Sequence, residues 1–177
     1  MRNAGHIVLV GPMGSGKSTL GRGLATRLGL AFVDVDARIA AEAGCDIPAI
    51  FTNEGEPGFR ARESQALAAV LAGDPAVIAT GGGAVLADAN CNAMRDAGVV
   101  IYLQVDPATQ LARLAGDTGR PLLATPDRAR RLADLQAIRG PLYRAVAHRL
   151  FDSSALSPDA AVAALANLLA TPEASCK

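Results

Sequence analysis

Gly11-Pro12-Met13-Gly14-Ser15-Gly16-Lys17-Ser18-Thr19 constrains this chain more than any other stretch. It fits G-x-x-x-x-G-K-[ST] at every fixed position, the phosphate-binding P-loop or Walker A pattern. The residue types follow from the task. A nucleoside triphosphate crowds several negative charges into a small volume. Glycines at 11, 14 and 16 let the backbone bend tightly and turn its N–H groups inward with no side chain in the way. Lys17 reaches for the β- and γ-phosphates, and Ser18 offers a hydroxyl to Mg²⁺. A helix starting here points its positive end at the same phosphates. The expected ATP-binding set is therefore Gly14, Ser15, Gly16, Lys17, Ser18 and Thr19.

The flanking sequence supplies the context this loop needs. His6-Ile7-Val8-Leu9-Val10 is a short apolar run, as expected of a buried parallel strand. Leu20, Leu24 and Leu28 then recur every four residues as a helical stripe, and Gly29 can cap its end. The chain has fifteen arginines and only two lysines, Lys17 and Lys177, so a sequence that uses arginine almost everywhere keeps a lysine in this loop.

Composition bounds the rest. The chain's 177 residues are enough for one domain with a proper core, residues 1–177. Half the residues are apolar and few are aromatic, which suits an α/β protein rich in helices. Seventeen basic and seventeen acidic residues cancel, which argues against electrostatic binding to nucleic acid or membrane. Cys45, Cys91 and Cys176 are odd in number and widely spaced, with no C-x-x-C; the simple expectation is a reduced compartment and no zinc. No signal-peptide pattern and no membrane-length apolar stretch is present, so a cytoplasmic location is expected.

Taken in order, Leu30–Val33 reads as a second strand ending in Asp34-Val35-Asp36, where open α/β sheets bind ligands. Alternation puts Asp34 and Asp36 on one side if the chain stays extended. Beside a P-loop, one carboxylate can organise Mg²⁺ and its waters and the other can orient or deprotonate an acceptor hydroxyl. The plainer reading makes Asp36 a helix N-cap. A short helix over Ile47–Phe51 is broken by Gly55-Glu56-Pro57-Gly58, and Phe59-Arg60-Ala61-Arg62-Glu63 opens another. Arg60 and Glu63 share a helix face, which alone describes a solvated ion pair. Ala76–Ala79 is a third strand, running into Thr80-Gly81-Gly82-Gly83. Three glycines there suit either a close ligand approach or a tight turn. That strand has no terminal Asp, leaving Asp34 to serve the metal.

A helix over roughly 86–97 and a fourth strand, Val99–Leu103, follow. Asp106-Pro107 reads as N-cap and N1 of the next helix rather than as a Walker B carboxylate. Gly116–Leu123 has no apolar periodicity and carries Arg120, with Arg113 just before; it reads as a lid over a phosphoryl-transfer site or as an ordinary surface loop. Thr125-Pro126-Asp127 restarts a helix with a Thr cap, and Arg139-Gly140-Pro141 interrupts it. Arg128, Arg130 and Arg131 read as solvated surface. Arg149–Asp152 is a short fifth strand, Ser157-Pro158 caps a last helix, and the tail after Ala170 is expected to fray. His6 and His148 fit no catalytic or metal-ligand pattern and are read as structural.

The P-loop, the Asp34-x-Asp36 pair, Phe59-Arg60-x-x-Glu63, Thr80-Gly81-Gly82-Gly83, Arg120-Pro121-Leu122-Leu123 and Arg139-x-x-x-Tyr143-Arg144 together resemble the shikimate kinase family, in family order over nearly the whole chain. The resemblance implies an α/β P-loop fold like that of nucleoside monophosphate kinases. It implies a five-stranded parallel sheet of order 2-3-1-4-5, a substrate-binding section near 35–63 and a mobile lid near 114–126. It implies transfer of the ATP γ-phosphate to the 3-hydroxyl of shikimate, with Mg²⁺, by a monomer. By resemblance, Lys17 and Ser18 take the phosphate and Mg²⁺ positions, Asp34 bonds the metal's waters, and Asp36 takes the substrate hydroxyl. Arg60 and Arg139 hold the shikimate carboxylate. Gly81, Gly82 and Gly83 edge the substrate site, with Gly82 nearest. Arg120 meets the transferring phosphoryl group, Arg113 stacks on adenine and Pro158 borders it. A gluconate-type kinase is the nearest rival, and a nucleotide-dependent regulatory module is the rival from another class.

Overall fold

Five consecutive buried residues, His6–Val10, make β1, and everything in the architecture is placed relative to this strand. The computed structural model describes residues 5–117, 119 and 121–171. Along them run α1 (Lys17–Leu28), β2 (Ala31–Asp34), α2 (Val35–Ala43), α3 (Ile47–Leu71), β3 (Ala76–Ala79), α4 (Asp88–Ala97), β4 (Gly98–Gln104), α5 (Pro107–Leu114), α6 (Arg128–Val146), β5 (Arg149–Asp152) and α7 (Pro158–Ala170). Single 3₁₀ turns occupy Ala84–Leu86 and Pro121–Leu123.

Among the described residues the five strands form one sheet of order β2-β3-β1-β4-β5, and every pairing is parallel. This is the order the family resemblance implies. β1 lies between β3 and β4, with Leu9 opposite both Ala79 and Ile101. The chain leaves β1 toward β2 on one side and later crosses to β4 on the other. The loop after β1 therefore opens at the switch point of the sheet, where α/β proteins bind ligands.

Alternation along β1 divides the core. Leu9 faces Leu20, Leu24 and Leu165 of α1 and α7, and Val8 and Val10 face Ile39, Leu67, Met94 and Tyr143 on the opposite layer. His6 is structural, as expected: its Nε2 donates to the Leu71 carbonyl and its Nδ1 accepts from the Ala76 N–H, tying the end of α3 to the start of β3. His148 Nδ1 likewise accepts from the Val100 N–H.

Several local readings need correction. The N-cap of α2 is Asp34, not Asp36: Asp34 Oδ1 accepts from the N–H groups of Asp36 and Ala37. The chain turns helical at Val35, so strand alternation does not align the two carboxylates; the first helical turn does. The break at Gly55-Glu56-Pro57-Gly58 is as the sequence implies: Gly55 has non-helical angles (φ 69°, ψ −178°) and divides α3 into two helical stretches across a kink. The kink folds Phe51 back onto Phe59, with ring centroids 4.7 Å apart. α4 starts at Asp88, after the 3₁₀ turn, rather than at 86. α6 starts at Arg128, capped by Asp127, whose Oδ1 takes the Arg130 N–H; Thr125 is not its cap. It then runs unbroken through Arg139-Gly140-Pro141, because burial of Leu132, Leu135, Arg139, Tyr143 and Val146 outweighs one lost backbone hydrogen bond. The caps at Asp106 and Ser157 are as the sequence implies.

Candidate active site

The loop between β1 and α1 keeps its shape because donors occupy each of its carbonyls. Lys17 Nζ donates to the carbonyls of Gly11 and Pro12, at 2.8 and 2.9 Å. Gln110 Nε2 donates to Met13, Arg113 Nη1 to Gly14 and Ser153 Oγ to Ser15, at 2.8, 3.1 and 3.2 Å. In a trans peptide the N–H points opposite the carbonyl. Holding the Met13 and Ser15 carbonyls outward therefore turns the Gly14 and Gly16 N–H groups the other way, toward the cavity those glycines line. Gly14 and Gly16 carry φ of 77° and 91°, which only glycine adopts cheaply. The result is a concave set of amides at a helix N-terminus, suited to an anion.

Three cavities meet along this edge among the described residues. The central one, about 320 Å³, is lined by Gly14, Gly16, Lys17, Ser18, Thr19, Asp34 and Asp36. Ser15, expected in the ATP-binding set, is buried and does not line this cavity. On one side a cavity of about 160 Å³ lies between Arg113 and Pro158 and shares Gly16, Thr19 and Arg113 with the central one. Here Arg113 hydrogen-bonds the Gly14 carbonyl and the Oγ and carbonyl of Ser153 in its own plane, leaving a guanidinium face for a flat ring. On the other side a cavity of about 290 Å³ shares Asp36 and Gly82 with the centre.

That third cavity concentrates charge. Arg60 Nη1 meets Glu63 Oε2 at 2.6 Å, and Arg60 Nη2 meets Glu56 Oε1 at 3.0 Å. The ion-pair reading of Arg60 and Glu63 is thus correct, but the pair is not a solvated one. Glu63 is 1% exposed, and its Oε1 has no hydrogen-bond partner among the described residues. Burial pushes the Glu63 carboxyl above its usual range, against the pull of Arg60. Burial works against the Arg60 charge too, but Glu63 and Glu56 outweigh it and hold its pKa up. Arg139 is 6% exposed and makes no ion pair among the described residues. Its charge acts on Glu63 only across a distance; a buried guanidinium with no carboxylate in contact, beside a cavity, suits an anionic ligand. Phe51 and Phe59 supply an apolar wall.

The glycine triplet is explained by space rather than by turn geometry, since none of Gly81, Gly82 and Gly83 has positive φ. A Cβ on Gly81 would collide with Glu63 Oε1 and lie 2.8 Å from Asp36 Oδ1, and a Cβ on Gly83 would collide with the Arg60 guanidinium. The sequence anticipates a close ligand approach here; the groups the structure places against Gly81 and Gly83 are the protein's own charged side chains.

Ser18 Oγ donates to Asp34 Oδ2 at 2.6 Å. One hydroxyl and one carboxylate, both oxygen donors beside a phosphate cradle, fit a hard cation such as Mg²⁺ that takes its other ligands from phosphate and water. Arg120 lies outside the described residues, as does the tail beyond Thr171. The roots of the expected lid are described and are tied down. Arg128 donates to the carbonyls of Leu114 and Asp117, and Arg131 to that of Leu122. These two arginines are therefore not mere surface, whereas Arg130 is exposed as expected. Sequence reasoning missed Gln110, Ser153 and Phe51, and it used Tyr143 as a motif residue without giving it a role. The available signal for Gln110 was a glutamine one turn before Arg113; nothing marked Ser153.

A family model described as shikimate kinase matches residues 13–170. A shikimate kinase of Stenotrophomonas maltophilia is 49% identical over 171 residues, 97% of this chain and 95% of that one. Among solved structures, shikimate kinase from Acinetobacter baumannii in complex with shikimate shares 42% identity and a TM-score of 0.90 over 94% of each chain. The enzyme from Aquifex aeolicus shares 30% identity and a TM-score of 0.81, covering 93% of this chain and 96% of that one.

Two predictions follow from this geometry. Gln110→Leu removes the donor on the Met13 carbonyl and should weaken ATP binding by about three- to tenfold in calorimetry; unchanged affinity would mean that the cradle holds without it. Glu63 has a raised carboxyl pKa, so the folded state binds its proton more tightly than the unfolded chain. Its contribution to stability is therefore greatest below the unfolded pKa and is lost as pH rises through the folded one. Urea titrations should show wild type losing stability relative to Glu63→Gln between acid and neutral pH.

Proposed function

Because this chain belongs to the shikimate kinase family, we propose that it transfers the γ-phosphoryl group of ATP to the 3-hydroxyl of shikimate, giving shikimate 3-phosphate and ADP. The observation that carries this reading is the shared wall: Asp36 and Gly82 line both the phosphate cavity and the cavity between Arg60 and Arg139. An acceptor in the second cavity faces a phosphate in the first across one carboxylate. Gluconate as acceptor and a purely regulatory role are not favoured, since neither accounts for the family match.

In this reading the phosphates of ATP lie in the amide cradle, and Lys17 exchanges its loop carbonyls for β- and γ-oxygens. Adenine lies on the free face of Arg113, bordered by Pro158. The shikimate carboxylate joins Arg139 and Arg60, giving Arg139 the direct carboxylate contact it lacks among the described residues, and its ring lies against Phe51 and Phe59. The backbone of Gly81, Gly82 and Gly83 edges the site. Asp36 accepts a hydrogen bond from the 3-hydroxyl and aims its oxygen at the γ-phosphorus. The new O–P bond forms as the bond to the β–γ bridging oxygen breaks, and the hydroxyl proton passes to Asp36. A loose transition state demands little base strength, so orientation is the main service Asp36 performs. Arg120, on the lid near 114–126, balances charge on the transferring group. Ser18 and, through water, Asp34 would hold Mg²⁺, which when bound neutralises charge on the β- and γ-oxygens. The section near 35–63 and the lid move as ligands bind. The enzyme works in the cytoplasm as a monomer; among the described residues no helix is long and apolar enough to cross a membrane.

ADP release from Mg²⁺-ATP should depend on shikimate and not on gluconate or quinate; turnover with gluconate in its place would overturn the acceptor assignment. Within that assay Asp36→Asn should lower kcat on the order of 10²-fold. Arg139→Ala should chiefly raise KM for shikimate, by about 10- to 100-fold, with KM for ATP little changed.

A further inference from the structure

Tyr143 is 1% exposed, yet its ring carries a hydroxyl that must find a partner in the interior. It donates that hydrogen to the carbonyl of Gly82, the glycine that lines both the phosphate and the acceptor cavities. Arg139 precedes Tyr143 by one turn of α6 and bears on the same hydroxyl. The two groups flank Gly82: the position its Cβ would take is 3.5 Å from the Tyr143 hydroxyl and 3.7 Å from Arg139 Nη1.

The partner on Gly82 fixes a peptide plane. The Gly82 carbonyl and the Gly83 N–H belong to one trans unit, so pulling the carbonyl toward α6 turns that N–H the opposite way. The preceding plane is fixed as well, because the Gly81 carbonyl accepts from the Ala84 N–H at 3.2 Å. Tyr143 is itself held. Its ring packs on the Tyr102 ring with centroids 5.1 Å apart; the Tyr102 hydroxyl accepts from Gln136 Nε2 and takes no part in that packing. Burial raises the Tyr143 phenol to about 12, so it remains a donor at any working pH.

We propose that Tyr143 is a positioning residue for the acceptor site: its hydroxyl sets the Gly82–Gly83 peptide so that the Gly83 N–H faces the acceptor, and steadies Arg139 beside it. The proposal rests on the assignment of the cavity between Arg60 and Arg139 to shikimate. Tyr143 touches no reacting atom. Its effect belongs to acceptor binding, because the N–H it sets is that of Gly83, which lines the acceptor cavity and not the phosphate cavity.

The test is Tyr143→Phe, which keeps the ring on Tyr102 and removes one oxygen. KM for shikimate should rise about tenfold, with KM for ATP within about twofold of wild type. In the ligand-free protein the Gly83 amide resonance should shift in a ¹H–¹⁵N spectrum. Tyr102→Phe is the control for a purely structural effect, since it also removes a buried hydroxyl but does not touch Gly82; it should leave KM for shikimate unchanged. Replacing Tyr143 with 4-aminophenylalanine restores a donor and should recover most of the lost affinity, which also covers the case in which Tyr143→Phe folds poorly. An unchanged KM for shikimate in Tyr143→Phe, or equal rises for both substrates, or equal effects from Tyr102→Phe, would overturn the proposal. Absence of shikimate turnover in the wild-type enzyme would instead overturn the acceptor assignment beneath it.

Discussion

The peptide planes of residues 11–16 are the constraint on which the rest of the site depends. A phosphate cradle needs N–H groups turned inward, and backbone dipoles left alone would turn to water. Here Gln110, Arg113 and Ser153 occupy the carbonyls of Met13, Gly14 and Ser15, so the orientation is built before any nucleotide arrives. Because Gln110 and Arg113 lie on α5 and Ser153 follows β5, the cradle is correct only when the far half of the sheet is assembled. Preorganisation of this kind is what makes charge stabilisation effective, since no dipole has to turn during the reaction.

The acceptor side works on a related principle with the opposite economy of space. Glycines at 81 and 83 exist to admit Glu63, Asp36 and Arg60 rather than to bend the chain. Arg60 is in contact with Glu63 and Glu56, whereas Arg139 feels Glu63 only across a distance and has no carboxylate in contact among the described residues. Burying a guanidinium without a direct carboxylate partner is costly to the folded chain, and a carboxylate ligand relieves that cost. In the proposed reading such a site selects one anionic group on an otherwise hydroxylated ring, with arginine's planar fork setting the orientation of that ring against Phe51 and Phe59.

Much of this was legible in the sequence, and the reasons for what was not are local. The P-loop, the parallel sheet and the caps at Asp106 and Ser157 follow from short-range rules that tertiary packing does not override here. The cap of α2 was misread because Asp34 has two tasks, holding helix N–H groups with Oδ1 and Ser18 with Oδ2, and a spacing rule cannot divide one carboxylate between them. α6 was broken at Pro141 on paper because proline's local cost is visible in sequence, whereas the compensating burial of Arg139, Tyr143 and Val146 is not. Gln110, Ser153, Arg128 and Arg131 act on backbone carbonyls distant in the chain, and such bonds leave no motif.

The central claim is that a phosphate cavity and an acceptor cavity face each other across Asp36. A crystal structure of the protein with shikimate and a non-hydrolysable ATP analogue tests it most directly. The account predicts the shikimate carboxylate on Arg60 and Arg139, and the 3-hydroxyl oxygen about 3 Å from the Asp36 carboxylate on the side facing the γ-phosphate. Shikimate bound the other way round, with its carboxylate remote from Arg139 and its 3-hydroxyl turned from Asp36, would contradict it.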